Sequence, residues 1–380
     1  MIEREYWLSK IEQAWTKCSI VWLAGVRRVG KTTLAQMLSS PSFRYLNCDL
    51  PSVQRELDDP EIFLDSLARG TIVIFDEVHR LSDPSTLLKL AADTRPDLRV
   101  LATGSSTLVA TKKFRDSLSG RKKVIHLTPI LWSECILNFE VQDLDHRLLH
   151  GGLPQPLLAK DKDADYFSEW IDSLYARDIQ ELFSIRNRVG FLSLLRLLLR
   201  QSGGQLDYTK LARLTELSRP TVKSYIEALQ IACVVHLVPP LGGSSSSREI
   251  VSRPKSYCFD SGFVSHEKGW DRIRVEDRGI LWEHLVLDSL VSQFPREQVY
   301  YWRDKSNKKI DFVIRARSNE YHAIECKVDP DSFSSKSLAK FRTWYPEGKN
   351  FVVSPHTSRK YLRSFDSMKV IFLRDIKHTF

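Results

Sequence analysis

The chain has 380 residues, 42% of them hydrophobic and 27% charged, and its 56 basic and 47 acidic residues give a formal net charge of +9. This is too long for one ordinary domain, and the composition is typical of a soluble protein with sizeable cores. No stretch approaches the roughly 18 uninterrupted apolar residues of a membrane span, which argues against membrane insertion. The six scattered cysteines argue against a zinc site or disulfide framework. The N-terminus lacks a secretory signal, so we expect a cytosolic protein.

The first 150 residues or so alternate short apolar runs with amphipathic stretches. The clearest runs are 19–24, 71–75 and 99–102. This rhythm predicts a parallel β-sheet covered by helices.

A glycine-rich loop follows the first apolar run. Residues 25–32 match the pattern G-x-x-x-x-G-K-[ST], and a helix is predicted over 33–38. Such a loop lets backbone N–H groups wrap phosphates, while Lys31 reaches the β- and γ-phosphates and the Thr32 hydroxyl binds Mg²⁺. The predicted binding residues for ATP are Gly25, Val26, Arg27, Arg28, Val29, Gly30, Lys31, Thr32 and Thr33.

The next apolar run ends in two carboxylates, Asp76 and Glu77. Asp76 is expected at the carboxyl edge of the sheet, where it would hold Mg²⁺ together with Thr32. Glu77 is then placed to polarise the water that attacks the γ-phosphate.

Two further residues are candidates near the phosphates. Ser105 follows the strand predicted over 99–102 and is the favoured γ-phosphate sensor, although a polar strand end is an equal alternative. Arg121 could stabilise the transferred phosphate in its own chain or in a neighbouring one. The favoured alternative for Arg121 is a solvated basic turn.

From Asp165 to about Gln230 the pattern becomes helical. Two helices are predicted over 208–214 and from Ser218 onwards, followed by a strand at 233–238 and another near Tyr257. This is the pattern of a helix-turn-helix with a wing, and the wing would include the serine-rich loop 241–248. The residues that would face DNA are Arg219, Thr221 and Lys223. A lid or protein-contact module is an equal alternative.

Near the C-terminus, Asp311 and the Glu325-Cys326-Lys327 segment have the form of the catalytic core of PD-(D/E)XK nucleases, to which the region bears a likeness. Two carboxylates would hold Mg²⁺ while Lys327 stabilises charge at the scissile phosphate. If the segments form a hairpin with their apolar residues on one face, all three polar residues share the opposite face. Glu283, on a helix predicted over 279–291, would add a third carboxylate; a surface glutamate is the alternative.

The positive charge is concentrated at the same end of the chain. Residues 301–380 contain 17 Lys or Arg and 9 Asp or Glu, a difference of +8. This favours a nucleic-acid partner, DNA above RNA, although a basic surface without a partner remains an alternative. The predicted phosphate-binding loop precedes Asp311 and comprises Trp302, Arg303, Lys305, Lys308 and Lys309.

The motifs around residues 25–34, 75–79, 102–106 and 119–130 resemble those of bacterial and archaeal AAA-type ATPases. The resemblance implies an α/β chain with three domains. These are a parallel-sheet P-loop ATPase domain at 1–164, a helical winged-helix domain at 165–250, and an α/β restriction-endonuclease-like domain at 251–380.

The expected function is Mg²⁺-dependent ATP hydrolysis coupled to nucleic-acid binding. Cleavage by the C-terminal domain is left open, as is homo-oligomerisation. The alternative is a nucleotide-dependent protein-interaction or sensor switch whose nuclease-like domain does not cleave. An unfoldase is disfavoured because there is no obvious pore-loop motif.

Overall fold

A computed structural model describes residues 2–38, 40–104, 116, 118–183, 185, 187–242, 253–317, 319–365, 368–376 and 379. The chain divides into two compact units. Unit 1 comprises residues 1–128, 173–184 and 231–233, and unit 2 comprises 129–172, 185–230 and 234–380. The prediction of three domains, with boundaries at 164 and 250, stays a prediction.

Unit 1 is built on a five-stranded sheet in which every neighbouring pair is parallel, as predicted. Its order is β2-β3-β4-β1-β5. All residues of β1 and β3 are buried, which explains their continuous apolar sequence. The strands are β1 (Ile20–Ala24), β2 (Phe43–Asn47), β3 (Ile72–Asp76), β4 (Arg99–Thr103) and β5 (Lys122–His126).

The helices of unit 1 begin with clear local signals. Asp59 and Asp83 accept hydrogen bonds from backbone N–H groups of the helices that follow them, and proline occupies the first turn in both cases. The α-helices are Glu5–Trp15, Lys31–Gln36, Pro51–Glu56, Pro60–Asp65, Pro84–Thr94 and Gln180–Phe183, with a 3₁₀ turn at Val78–Arg80 and a π-helical segment at Leu174–Ile179.

The first part of unit 2 is mainly helical. An antiparallel sheet has the order β6 (Gly204–Gln205), β8 (Lys255–Cys258) and β7 (Val235–Val238). The helices Tyr208–Thr215 and Arg219–Ile231 lie between β6 and β7 in the chain. The helices and strands predicted here are therefore observed. The remaining helices are Trp132–Leu137, Leu144–His150, Pro154–Leu158, Ala164–Ser173, Arg188–Arg200 and Ser261–Glu267.

The second part of unit 2 contains a mixed six-stranded sheet with the order β13-β14-β12-β11-β10-β9. The α-helices are Val275–Val291 and Lys336–Trp344, and 3₁₀ turns lie at Arg296–Gln298 and Pro330–Ser332. The strands are β9 (Val299–Arg303), β10 (Lys309–Arg317), β11 (Glu320–Cys326), β12 (Asn350–Val353), β13 (Tyr361–Phe365) and β14 (Met368–Leu373).

Some predicted helix boundaries differ from the observed ones. The helix after the glycine-rich loop begins two residues earlier than expected, because it starts directly after Gly30. The helix predicted from residue 279 begins at Val275, where Glu276 and Asp277 favour its first turn. Among the described residues, every helix is too short or too polar to cross a bilayer.

Candidate functional site

The glycine-rich loop of unit 1 connects the end of β1 to the helix Lys31–Gln36. Gly25 has φ +154°, and a Cβ atom there would lie 2.7 Å from the carbonyl oxygen of Leu127. Gly30 has φ +97°, in the region that favours glycine. Both glycines are therefore needed for the tight path of the loop around a ligand.

Lys31 is the first residue of this helix, and its side chain folds back onto the loop. Its Nζ donates hydrogen bonds to the carbonyl oxygens of Gly25 at 3.0 Å and Val26 at 3.1 Å. Burial lowers the pKa of Lys31, whereas the nearby carboxylates of Glu77 and Asp178 raise it. The loop thus holds a poorly hydrated ammonium group, which is well suited to bind phosphate oxygens.

The side chain of Asp76 is hydrogen-bonded to the helix Lys31–Gln36 and to two neighbouring strands. Its Oδ2 accepts hydrogen bonds from Thr32 Oγ1 at 2.8 Å and from Tyr45 Oη at 2.7 Å, and its Oδ1 accepts one from Thr103 Oγ1. A hydroxyl and a carboxylate are hard oxygen donors, which Mg²⁺ prefers. Thr32 and Asp76 therefore fit the predicted magnesium site.

Tyr45 and Thr103 are absent from the sequence prediction. Thr103 is the last residue of β4, which lies beside β3 in the sheet, so the polar end of this strand does reach the site. The prediction assigned that position to Ser105, which lies outside the described residues. Tyr45 lies on β2, whose sequence carried no comparable signal.

Glu77 directly follows β3 with φ +55°, a conformation uncommon for a residue other than glycine. Its backbone N–H donates to Thr103 Oγ1 at 3.0 Å, and its Oε2 lies 3.2 Å from Nδ1 of His79. Burial raises the pKa of Glu77, and Lys31 opposes this shift. A carboxylate with a raised pKa is a stronger base, which suits activation of a water molecule.

Lys31 and Glu77 line a cavity of about 100 Å³ in unit 1. Its wall brings Lys31 and Glu77 together with the loop residue Arg27 and with Asp178 from the π-helical segment. Arg27 Nη1 and Asp178 Oδ2 are 3.4 Å apart. The cavity also contains Asp49, His79, Arg80 and Arg177. Asp178 was not predicted, because it lies far from the loop in sequence.

Arg121 is not among the residues that line this cavity. It forms a two-pronged ion pair with Asp93, with Nε to Oδ1 at 2.6 Å and Nη2 to Oδ2 at 3.1 Å. Both side chains are exposed. The structure therefore does not bring Arg121 to the glycine-rich loop of residues 25–30, which we call the phosphate loop. A contact of Arg121 with a neighbouring chain stays a prediction.

In unit 2, β10 and β11 form the expected antiparallel hairpin. Phe312 pairs with Ile324, so Asp311 and Glu325 occupy adjacent positions on the same face. The Nζ of Lys327 lies 2.7 Å from Glu325 Oε2 and 3.6 Å from Asp311 Oδ2. Glu283 lies close to the same cluster, since Lys309 Nζ contacts both Glu283 Oε1 at 3.7 Å and Asp311 Oδ1 at 2.9 Å.

The sequence did not indicate how many cations this cluster contains. Glu283 Oε2 is bound by Lys255 Nζ at 3.1 Å and by Tyr257 Oη at 2.6 Å. The three carboxylates Glu283, Asp311 and Glu325 are thus matched by the three ammonium groups of Lys255, Lys309 and Lys327. We call these six side chains the carboxylate–lysine cluster.

Burial and charge act together on the carboxylates of this cluster. Burial by itself raises the pKa of Asp311, but Lys327 and Lys309 outweigh that effect and lower it. Burial and the nearby Asp311 raise the pKa of Glu325 to about 8. Asp311 therefore retains its charge, and Glu325 binds a proton more readily.

The metal site predicted at Glu283, Asp311 and Glu325 stays a prediction. Ammonium groups contact each of the three predicted ligands, Glu283, Asp311 and Glu325. Over the part of the chain that the structure describes, no group of three or more His, Cys, Asp or Glu side chains is arranged to hold a metal. A metal would require at least Lys309 to leave Asp311.

The prediction that Trp302 belongs to a phosphate-binding loop is wrong. Trp302 is fully buried and packs edge-on against Phe341, so it cannot stack on a base. β9 places its ring in the apolar core of the six-stranded sheet. Arg303 donates a hydrogen bond to Asn307, and Lys305 is exposed.

The three predicted DNA-facing residues lie at the start of the helix Arg219–Ile231. Arg219 and Lys223 are exposed, and the ammonium group of Lys223 lies 5.7 Å from the ring centre of Tyr208. Thr221 is half-buried and its hydroxyl lies 2.7 Å from that of Ser218. Their role in binding DNA stays a prediction.

Three parts of the chain match protein-family models. Residues 17–136 match the family described as "AAA domain". The matched residues contain all five strands of the parallel sheet and the glycine-rich loop. Residues 141–273 and 278–374 match two families described as domains of unknown function, DUF8612 and DUF4143.

Curated relatives are similar over most of the chain. The uncharacterized protein Rv2008c of Mycobacterium tuberculosis is 28% identical over 374 residues, which covers 93% of this chain and 82% of the relative. The uncharacterized protein MJ1544 of Methanocaldococcus jannaschii is 24% identical over 327 residues, covering 78% of this chain and 72% of the relative.

Among solved structures, a Walker-type ATPase of Pyrococcus abyssi, PABY2304, matches with a TM-score of 0.46 and 16% identity. The match covers 70% of this chain and 96% of that one.

Proposed function

We propose that unit 1 binds ATP with Mg²⁺ and hydrolyses it. The observation that carries this proposal is the convergence of three groups at one sheet edge. Lys31 is held in the phosphate loop, Thr32 is hydrogen-bonded to Asp76, and Glu77 lines the adjoining cavity. In this assignment Lys31 binds the phosphates, Thr32 and Asp76 hold Mg²⁺, and Glu77 orients and deprotonates water. The bound Mg²⁺ would neutralise charge on the phosphates.

Replacing Lys31 by alanine tests the binding step. We expect Lys31→Ala to weaken ATP binding roughly 10- to 100-fold, because a charge-assisted hydrogen bond to phosphate is lost. Equilibrium titration of the full chain with ATP, with and without Mg²⁺, measures the effect. Lys17→Ala is the control, since Lys17 lies just after the first helix and does not line the cavity. Equal affinities of the wild type and Lys31→Ala would contradict the proposal.

We further propose that unit 2 binds nucleic acid and that binding is coupled to ATP turnover. The first support is the excess of basic residues over 301–380. The second is the pair of helices Tyr208–Thr215 and Arg219–Ile231 beside the antiparallel strands β6, β7 and β8, which is compatible with the proposed winged-helix module. The mixed sheet with Asp311 and Glu325 on adjacent strands supports a restriction-endonuclease-like third domain.

Two alternative functions can be proposed for the carboxylate–lysine cluster. It is either a metal-dependent cleavage centre or a buried ion-pair network in a nucleotide-dependent protein-interaction switch. The ion pairs favour the second, because each carboxylate already has a cationic partner. Unit 2 would then bind its partner without cutting it.

An assay with Mg²⁺ and single- or double-stranded DNA or RNA separates these functions. Cleavage that is lost in Lys327→Ala and retained in Lys31→Ala would assign an independent nuclease to the cluster. Nucleic-acid binding that weakens steeply with salt, without cleavage, would support the binding function. ATPase rates that are equal with and without DNA at low salt would contradict the coupling.

A further inference from the structure

An ion pair connects the phosphate loop to a segment distant in sequence. Arg27 belongs to the loop, and Asp178 belongs to the π-helical segment Leu174–Ile179. Arg27 Nη1 lies 3.4 Å from Asp178 Oδ2, and both residues line the cavity that contains Lys31. The proposed hydrolysis has no role for Asp178, yet this carboxylate lines the same cavity as Lys31.

Asp178 is one of three acidic residues that line the cavity, together with Asp49 and Glu77. Its side chain is 14% exposed. Burial raises the pKa of Asp178, and the positive charges of Arg27 and Lys31 lower it, while the negative charge of Glu77 raises it further. Arg27 and Lys31 therefore stabilise the charged form of Asp178, and a bound triphosphate would contact the same two cations.

A second pair at the cavity provides a comparison. Arg80 Nε lies 3.0 Å from Asp49 Oδ1, but these side chains are 42% and 52% exposed. Water and salt screen such an exposed pair effectively. A phosphate that competes for the arginine should therefore affect the Arg27–Asp178 pair far more than the Arg80–Asp49 pair.

The backbone that carries Asp178 is also unusual. The π-helical segment follows the α-helix Ala164–Ser173 and precedes the α-helix Gln180–Phe183. π-helical turns are rare inside α-helices and occur frequently at functional sites. A change from π-helical to α-helical hydrogen bonding in this segment would move Asp178 without unfolding the helix.

We propose that the Arg27–Asp178 pair is a latch that a bound triphosphate opens. This inference rests on the proposed ATP binding. The phosphates compete for Arg27 and repel the carboxylate, so Asp178 leaves the cavity and the segment Leu174–Ile179 rearranges. Because the coupling is reciprocal, closing the latch weakens nucleotide binding as much as the nucleotide weakens the latch. Asp178 is thus a positioning residue that reports nucleotide occupancy.

Asp178→Asn in the full chain tests the latch. The amide keeps the shape of the side chain and removes its charge, so we expect ATP to bind about tenfold tighter. A purely structural role would predict weaker or unchanged binding. Glu56→Gln is the matched control, because Glu56 forms an exposed pair with Arg44 in the same unit. Its ATP affinity should equal that of the wild type.

A double-mutant cycle with Arg27→Ala isolates the pair. Asp178→Asn should tighten ATP binding less in the Arg27→Ala background than in the wild type, because there is no arginine left to release. Equal effects in the two backgrounds would show that Asp178 acts through general repulsion, and the latch would be overturned.

Hydrogen exchange gives a readout independent of affinity. In the wild type, saturating Mg²⁺ and ATP should speed amide exchange within residues 174–179 at least severalfold. In Asp178→Asn, exchange should be fast without ATP and change little on its addition. Should that variant fail to fold, exchange in the wild type decides alone, and unchanged exchange overturns the latch. A wild type that binds no ATP refutes the proposed function instead.

Discussion

Glu77→Gln is expected to lower the rate of ATP hydrolysis about a thousandfold, within the range typical for loss of a general base. Glutamine keeps the size of the side chain and cannot accept a proton at neutral pH. The phosphate loop is untouched, so the affinity for ATP with Mg²⁺ should stay within about threefold of that of the wild type. Phosphate release under saturating ATP, measured beside equilibrium ATP binding, separates the two quantities.

The pH dependence of turnover provides an internal check. Glu77 must be ionised to act as a base, and burial raises its pKa above the ordinary glutamate value. Wild-type turnover should therefore fall on acidification through this raised pKa, at a higher pH than an ordinary glutamate would produce. Glu61→Gln, at an exposed glutamate in the first turn of a helix, is the control and should turn over normally. A Glu77→Gln variant with near wild-type turnover would remove Glu77 from the mechanism.

The phosphate loop was predictable because its signals are local. The buried strand, Gly25, Gly30 and the helix after them lie within about twenty consecutive residues. Each residue type reflects a constraint imposed by its neighbours in sequence, such as a positive φ at the glycines. Asp76 could be placed by the same logic, since it ends a wholly apolar run.

The other walls of the same site depend on sheet order and distant segments. Tyr45 contacts Asp76 because β2 pairs with β3, with Asn47 opposite Asp76. Nothing within β2 identifies that neighbour. Asp178 comes from a helix 151 positions beyond Arg27. Such residues become visible only when the tertiary arrangement is known.

In unit 2 the hairpin register was predictable and its electrostatic environment was not. Burial of Phe312 and Ile324 on one face determines where Asp311 and Glu325 lie. The face that carries these polar residues is buried, with Asp311 1% exposed. Lys255 comes from β8 and contacts the helical Glu283, a pairing between elements that no local pattern reveals.

The carboxylate–lysine cluster leads to the second large effect. Asp311→Ala is expected to lower the free energy of unfolding by about 3–5 kcal/mol, the usual cost of removing one partner from a buried ion pair. Lys309 would lose its contact at 2.9 Å and Lys327 its contact at 3.6 Å, and the Cys326 N–H would lose its acceptor at 3.0 Å. Urea denaturation followed by circular dichroism measures the change.

The control is an exposed ion pair that includes Arg363, on β13 of the same six-stranded sheet. Asp331 contacts Arg363 at 3.1 Å with side chains 75% and 50% exposed, so Asp331→Ala should change stability far less. A triple variant replaces Asp311 by alanine and both Lys309 and Lys327 by methionine. Its free energy of unfolding should lie between those of Asp311→Ala and the wild type, since buried ion pairs are often replaceable by apolar groups. Recovery would favour a network that serves the fold. An Asp311→Ala variant as stable as the wild type would instead indicate carboxylates kept for chemistry rather than for folding.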